Sequence, residues 1–144
     1  MKENSKTQNP LADLKVNTRI KLAALWTAVM FLFAYADIQH FVLQPGSLAE
    51  ILQGSIGGMQ TIPEFLFGAA LLMTVPALMI FLSVSLKASL SRWANLVFGT
   101  LYTLITIATW LVPDGTLAYY YFYNIVEVIL TGLIVWQAWN WSRN

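Results

Sequence analysis

Glu127 stands about eleven residues into the last long apolar run of this chain, roughly 16 Å deep at 1.5 Å per residue and close to a bilayer midplane. An ionisable group at that depth is costly and needs a reason. At 100° per residue, Thr116, Tyr120, Tyr123, Asn124, Glu127 and Thr131 fall within about one third of the helix circumference. That stripe has to face protein or water. Its carboxyl can serve as a hydrogen-bond donor that joins helices, or as a proton-coupled or ligand-binding group. On the preceding run Asn95, Gly99, Tyr102, Thr106 and Thr109 share one face, with Tyr102 at about the depth of Glu127. Setting stripe against stripe makes Tyr102 the expected partner of Glu127.

Asp37 and His40 are three positions apart on the first apolar run, so a helix brings their side chains to one face, with Gln44 a turn further out. A carboxylate that orients an imidazole suits a general base, and it also satisfies a lone buried histidine. Glu64 has a plainer explanation. Thr61-Ile62-Pro63-Glu64 has capping-box spacing, in which the threonine and the glutamate each satisfy a free backbone N–H. Metal chemistry fits poorly. By helix rise Asp37, His40 and Glu64 could converge to the ~2 Å ligand distance of one ion, whereas Glu127 lies too deep to join them, and a bundle-type dinuclear site needs more than one histidine. Bis-histidine haem fails on the same count, and no cofactor is expected. Phosphate loops, nucleophile elbows and zinc-protease spacings are absent.

The elements that must position these residues are four apolar runs, at about 20–42, 62–86, 93–112 and 116–141. The reading is an all-α, four-helix transmembrane bundle. All eight lysines and arginines fall before or at the very start of the first run, between the second and third, or after the fourth, which places both termini on the cytoplasmic side. Residues 1–18 read as a polar cytoplasmic tail and 19–144 as a single transmembrane domain. In the first outer loop, Ser47-Leu48-Ala49-Glu50 has capping-box spacing and opens a short interfacial helix, after which Gly54, Gly57 and Gly58 give a flexible return. Pro113-Asp114-Gly115 makes the second outer turn. Pro76 should kink the second span near Leu72, whose carbonyl loses its partner.

Composition agrees with a membrane setting: 58% of the 144 residues are hydrophobic and 10% charged. A net charge of +1 leaves no footprint for nucleic acid, and the lack of cysteine excludes disulfides, thiolate metal sites and cysteine nucleophiles. Lys15 to Ala36 has the three parts of a secretory signal, but the apolar run continues through Phe41, Val42 and Leu43 and is expected to remain as a span.

The stretches Phe33-Ala34-Tyr35-Ala36-Asp37-Ile38-Gln39-His40-Phe41, Thr74-Val75-Pro76-Ala77-Leu78-Met79-Ile80-Phe81 and Asn124-Ile125-Val126-Glu127 resemble a family of small bacterial four-helix membrane proteins of unknown function. More distantly the chain is similar to DoxX-like proteins. The resemblance implies a four-span bundle and carries no activity with it, and the cysteines of redox-linked DoxX-like members are missing here.

The leading expectation is a multi-pass cell-membrane protein, more a binder than an enzyme. Asp37, His40, Tyr102, Tyr120, Asn124 and Glu127 would line a polar pocket in its outer half that binds a small ligand or relays protons. A second is a structural or accessory subunit, meeting another copy or a membrane complex through small-residue surfaces such as Ala24 with Ala28, or Gly68-Ala69-Ala70. A third is an enzyme that uses Asp37 and His40 on a lipid or quinone.

Overall fold

The computed structural model describes residues 15–56, 58–111 and 118–141. The tail before residue 15, Gly57, the Pro113-Asp114-Gly115 turn, Thr116 and Arg143 lie outside them. The described residues form five α-helices: α1 (Thr18–Asp37), α2 (Ser47–Leu52), α3 (Pro63–Ser85), α4 (Ala88–Thr109) and α5 (Ala118–Trp139). A π-helical segment, Ile38–Leu43, continues α1, and two-residue strands β1 (Ser55–Ile56) and β2 (Met59–Gln60) pair antiparallel after α2. Among the described residues, three stretches are long and apolar enough to cross a membrane: Thr18–Leu43, Pro63–Ser85 and Ala118–Trp139. The remaining long helix, α4, spans 22 residues but carries Ser89, Ser91, Arg92 and Asn95 in its first half.

The long helices pack as a ring in which α1 meets α3, α3 meets α4, α4 meets α5 and α5 returns to α1. In α1 the buried positions Leu22, Trp26, Val29 and Ala36 recur at helical spacing, with Phe33 packed beside them, so a single stripe faces inward. Outside that stripe, Phe31, Phe67, Phe81, Phe122 and Trp136 are exposed, an arrangement suited to an apolar surrounding rather than water. At one end of the ring Arg19 donates to the Val84 carbonyl at 3.4 Å, and Arg92 donates to the carbonyls of Ala138 and Trp139 at 3.0 and 3.1 Å. Two guanidinium groups therefore satisfy carbonyls at the C-termini of α3 and α5, where the helix dipole also favours positive charge.

Between α1, α3 and α4 a polar knot lies in that half of the core. Asn95 Oδ1 accepts from Trp26 Nε1 at 2.7 Å and from Ser83 Oγ at 3.2 Å, while Asn95 Nδ2 donates to the Ser91 carbonyl at 2.7 Å. Ser91 Oγ donates to the Ser83 carbonyl at 2.9 Å. All four residues are buried, and the knot leaves few of their polar atoms unmatched. Across the α4–α5 contact, a Cβ added at Gly99 would sit 3.0 Å from Val135 Cγ2 and 3.1 Å from Ile134 Cγ2, so glycine sets the helix separation.

Several local expectations need correction. Ser47 does not cap α2: it is the first helical residue, Gly46 at φ 93° precedes it, and the Ser47 hydroxyl donates instead to the His40 carbonyl at 3.1 Å. The cause is Pro45. In a π-helix the His40 carbonyl would accept from the N–H five residues on, which proline lacks, and the serine supplies the missing donor. Thr61 does not cap α3 either, because its hydroxyl donates to the Gly54 carbonyl at 2.8 Å; Ile62 holds the cap position and Glu64 is exposed in the first turn. The expected flexible return instead contains the paired strands β1 and β2, with Gly58 at φ 75° just before β2. The third long helix also begins earlier than expected, at Ala88 rather than near Trp93.

Candidate functional site

Pro76 determines where the site can form. It removes the backbone donor for the Leu72 carbonyl, and the phenolic hydroxyl of Tyr102, reaching across from α4, donates to that carbonyl instead. Tyr102 is fully buried, edge-on to Trp26 with ring centroids 5.8 Å apart and tilted against Phe33 at 6.0 Å. The expected pairing of Tyr102 with Glu127 is thus corrected. The single phenolic proton goes to α3, where Pro76 leaves the Leu72 carbonyl without its backbone donor.

On the outer side of this anchor lies a cavity of about 140 Å³. Phe33, Ala36 and Asp37 line it from α1, Leu72 and Met73 from α3, Tyr102, Ile105, Thr106 and Thr109 from α4, and Tyr120, Asn124 and Glu127 from α5. Five of the six residues singled out by sequence therefore share one chamber. Two are carboxylic acids, and the lining includes no lysine, arginine or histidine. Glu127 is 3% exposed, and among the described residues its carboxyl has no hydrogen-bond partner. Asn124 is held more firmly: Nδ2 donates to the Tyr120 carbonyl at 3.0 Å, and Oδ1 lies 3.4 Å from the Thr109 hydroxyl. One turn inward, Thr103 donates to Thr131 at 2.8 Å, so the polar stripes of α4 and α5 do face each other.

His40 is the residue that stands apart. With Phe41, Gln44, Ser47, Glu50, Ile56 and Gly58 it lines a second cavity of about 280 Å³, between the π segment, α2 and the hairpin. The π segment starts at Ile38, immediately after Asp37, so the usual 100° step does not carry across the Asp37–His40 interval. Although Asp37 and His40 remain close enough to interact electrostatically, they line two different chambers. These chambers adjoin through rings, because the His40 imidazole lies 4.9 Å from the Tyr120 ring, tilted by 36°. No group of three or more histidines, aspartates or glutamates among the described residues could hold a metal ion.

Sequence reasoning passed over Phe33, Ile105 and Met73 as lining residues. Phe33 was accessible to it, standing one turn before Asp37 on the inward stripe; Met73 was not, because its orientation depends on the break at Pro76.

Fold and site together define an all-helical protein with three helices apolar enough to cross a membrane and a small acidic chamber between its long helices. A family model described as "Family of unknown function (DUF6326)" matches residues 11–144, and the chain belongs to that family. No curated protein and no solved structure matches it.

Proposed function

We propose that the protein crosses the cell membrane four times, with both termini cytoplasmic and residues 19–144 forming one bundle, and that its inner chamber binds a small ligand and passes protons. Counting α4 as the fourth span rests on its length and on its polar face being turned inward, where Ser91, Asn95, Tyr102 and Thr106 are buried. The orientation rests on charge: the described basic residues Lys15, Arg19, Lys21, Lys87 and Arg92 all lie at or near the end where Arg19 and Arg92 cap their helices. The distant likeness to DoxX-like proteins fits the same layout and adds no activity.

One observation carries the functional reading: Glu127, almost wholly buried, presents a carboxyl without a hydrogen-bond partner among the described residues to a chamber that it shares with Asp37. A carboxyl kept only to join helices would be hydrogen-bonded to them. Tyr120 connects this chamber to His40 and the outer cavity, a route along which titratable groups stand in sequence. The test is proton flux in liposomes that hold the purified chain and an internal pH dye. Glu127→Gln should abolish flux while insertion and elution volume stay as they were. Equal flux in the variant removes the relay.

A second reading, an accessory subunit, is favoured by the outer half of α3, where Leu66 to Leu72 are exposed and include Gly68, Ala69 and Ala70. Purification with a stoichiometric membrane partner would support it. An enzyme built on an Asp37–His40 pair finds less support, since the two side chains, although close enough to interact electrostatically, line different cavities.

A further inference from the structure

The chamber's chemistry narrows the ligand. Its two acids, Asp37 and Glu127, have no basic side chain beside them in the lining, and the same walls carry the rings of Phe33, Tyr102 and Tyr120. Carboxylates in a low-dielectric site call for positive charge. For Asp37 the nearby His40 can supply it, whereas Glu127 has no such neighbour among the described residues and is left with a proton or an organic cation. Aromatic faces add attraction for a cation and none for a proton. The volume, about 140 Å³, is close to the ~150 Å³ of an engineered cavity that admits benzene, so it suits one ring or a short branched amine.

Access follows from α3. Beyond the Pro76 break, its outer turns contribute only Leu72 and Met73 to the chamber, and Leu66 to Leu71 are exposed, with nothing within 4 Å of a Cβ placed at Gly68. The inner half of the same helix instead buries Pro76, Met79 and Ser83. The side of the chamber next to outer α3 is therefore thinly covered, toward the surface that lipid would occupy.

We infer that the ligand is a lipophilic ammonium ion that reaches the chamber from the lipid side past outer α3 and exchanges there with a proton. The inference rests on the four-span reading and on the chamber proposed above. Binding converts one carboxylic acid to a carboxylate–ammonium pair and releases one proton to the medium, so charge and atoms balance. The titratable groups facing Glu127 are Asp37 from α1, Tyr102 from α4 and Tyr120 from its own helix; α3 contributes none to the lining, and His40, outside the lining, stacks against Tyr120 and interacts electrostatically with Asp37.

The probe is benzylammonium chloride, titrated calorimetrically into the full chain in detergent, in two buffers of different ionisation enthalpy. About one proton should be released per cation bound, with affinity falling as pH is lowered. Benzyl alcohol, equal in size and uncharged, should bind at least about tenfold more weakly, the loss expected when a charge-assisted contact is replaced by a neutral one. A para-butyl group should strengthen binding if the tail lies in the opening past α3. Glu127→Gln should remove binding, and Asp37→Asn should weaken it. Equal binding of the alcohol overturns the cation, whatever the variants do, and weaker binding of the butyl compound overturns the lateral entrance. Proton flux in liposomes without any ammonium binding would sink this inference and leave the relay standing, whereas ammonium binding without flux would do the reverse.

Discussion

Replacing Tyr102 by phenylalanine removes one hydroxyl and keeps the ring against Trp26 and Phe33, so the perturbation falls on the Leu72 carbonyl alone. That carbonyl has no backbone donor because residue 76 is proline. An unsatisfied buried carbonyl costs about 1–3 kcal/mol, and interhelical hydrogen bonds measured inside membranes average nearer ~0.6 kcal/mol, so a loss of about 1–2 kcal/mol is expected. Pro76→Ala returns an N–H to that position and restores the bond within α3. In that background Tyr102→Phe should cost less than about 0.5 kcal/mol, giving a coupling of roughly 1 kcal/mol across the cycle. Reversible unfolding in mixed micelles, followed by tryptophan fluorescence, measures all four corners. Equal losses with and without Pro76 would refute the idea that the tyrosine exists to complete the broken helix.

Asn95→Ala should destabilise by about 2–3 kcal/mol in the same assay, since it strands the buried Trp26 N–H and Ser83 hydroxyl together. Gly99→Ala should cost about 1–3 kcal/mol by forcing α4 from α5, and Val135→Ala should recover part of it; full stability in the single variant would show that the contact can give. The chain has no cysteine, so Ser47→Cys and Ser89→Cys each introduce a single label site. An impermeant maleimide applied to intact cells should modify the first and reach the second only after permeabilisation, and the opposite pattern would invert the proposed topology.

Much of the helical layout was legible because apolar length and polar stripes are properties of sequence spacing alone. The α5 positions Asn124, Glu127 and Thr131 are all buried, as their shared face requires, and so are Asn95, Gly99, Tyr102 and Thr106 on α4. What could not be read were choices between competing donors. Ser47 and Thr61 both stand at capping spacing, and in each case a carbonyl elsewhere, left open by Pro45 or by the hairpin, takes the hydroxyl. The partner of Tyr102 is undetermined by spacing for the same reason: the Glu127 carboxyl and the open Leu72 carbonyl compete for one proton, and only the packing of α3 against α4 decides between them. That His40 and Asp37, although electrostatically coupled, line different cavities follows from the π segment, for which hydropathy spacing offers no signal.

That segment, Ile38–Leu43, also bears on the protein's descent. A π turn is geometrically an α-helix that has absorbed one additional residue, so a relative lacking it should be shorter by a single position between the equivalents of Asp37 and Pro45. Its helix would step evenly through this region, carrying the histidine's position round by about 100° and re-aiming the loop that closes the outer cavity. A one-residue gap at this place in an alignment would therefore record the gain or loss of the second chamber, and could divide the family into members with one compartment and members with two.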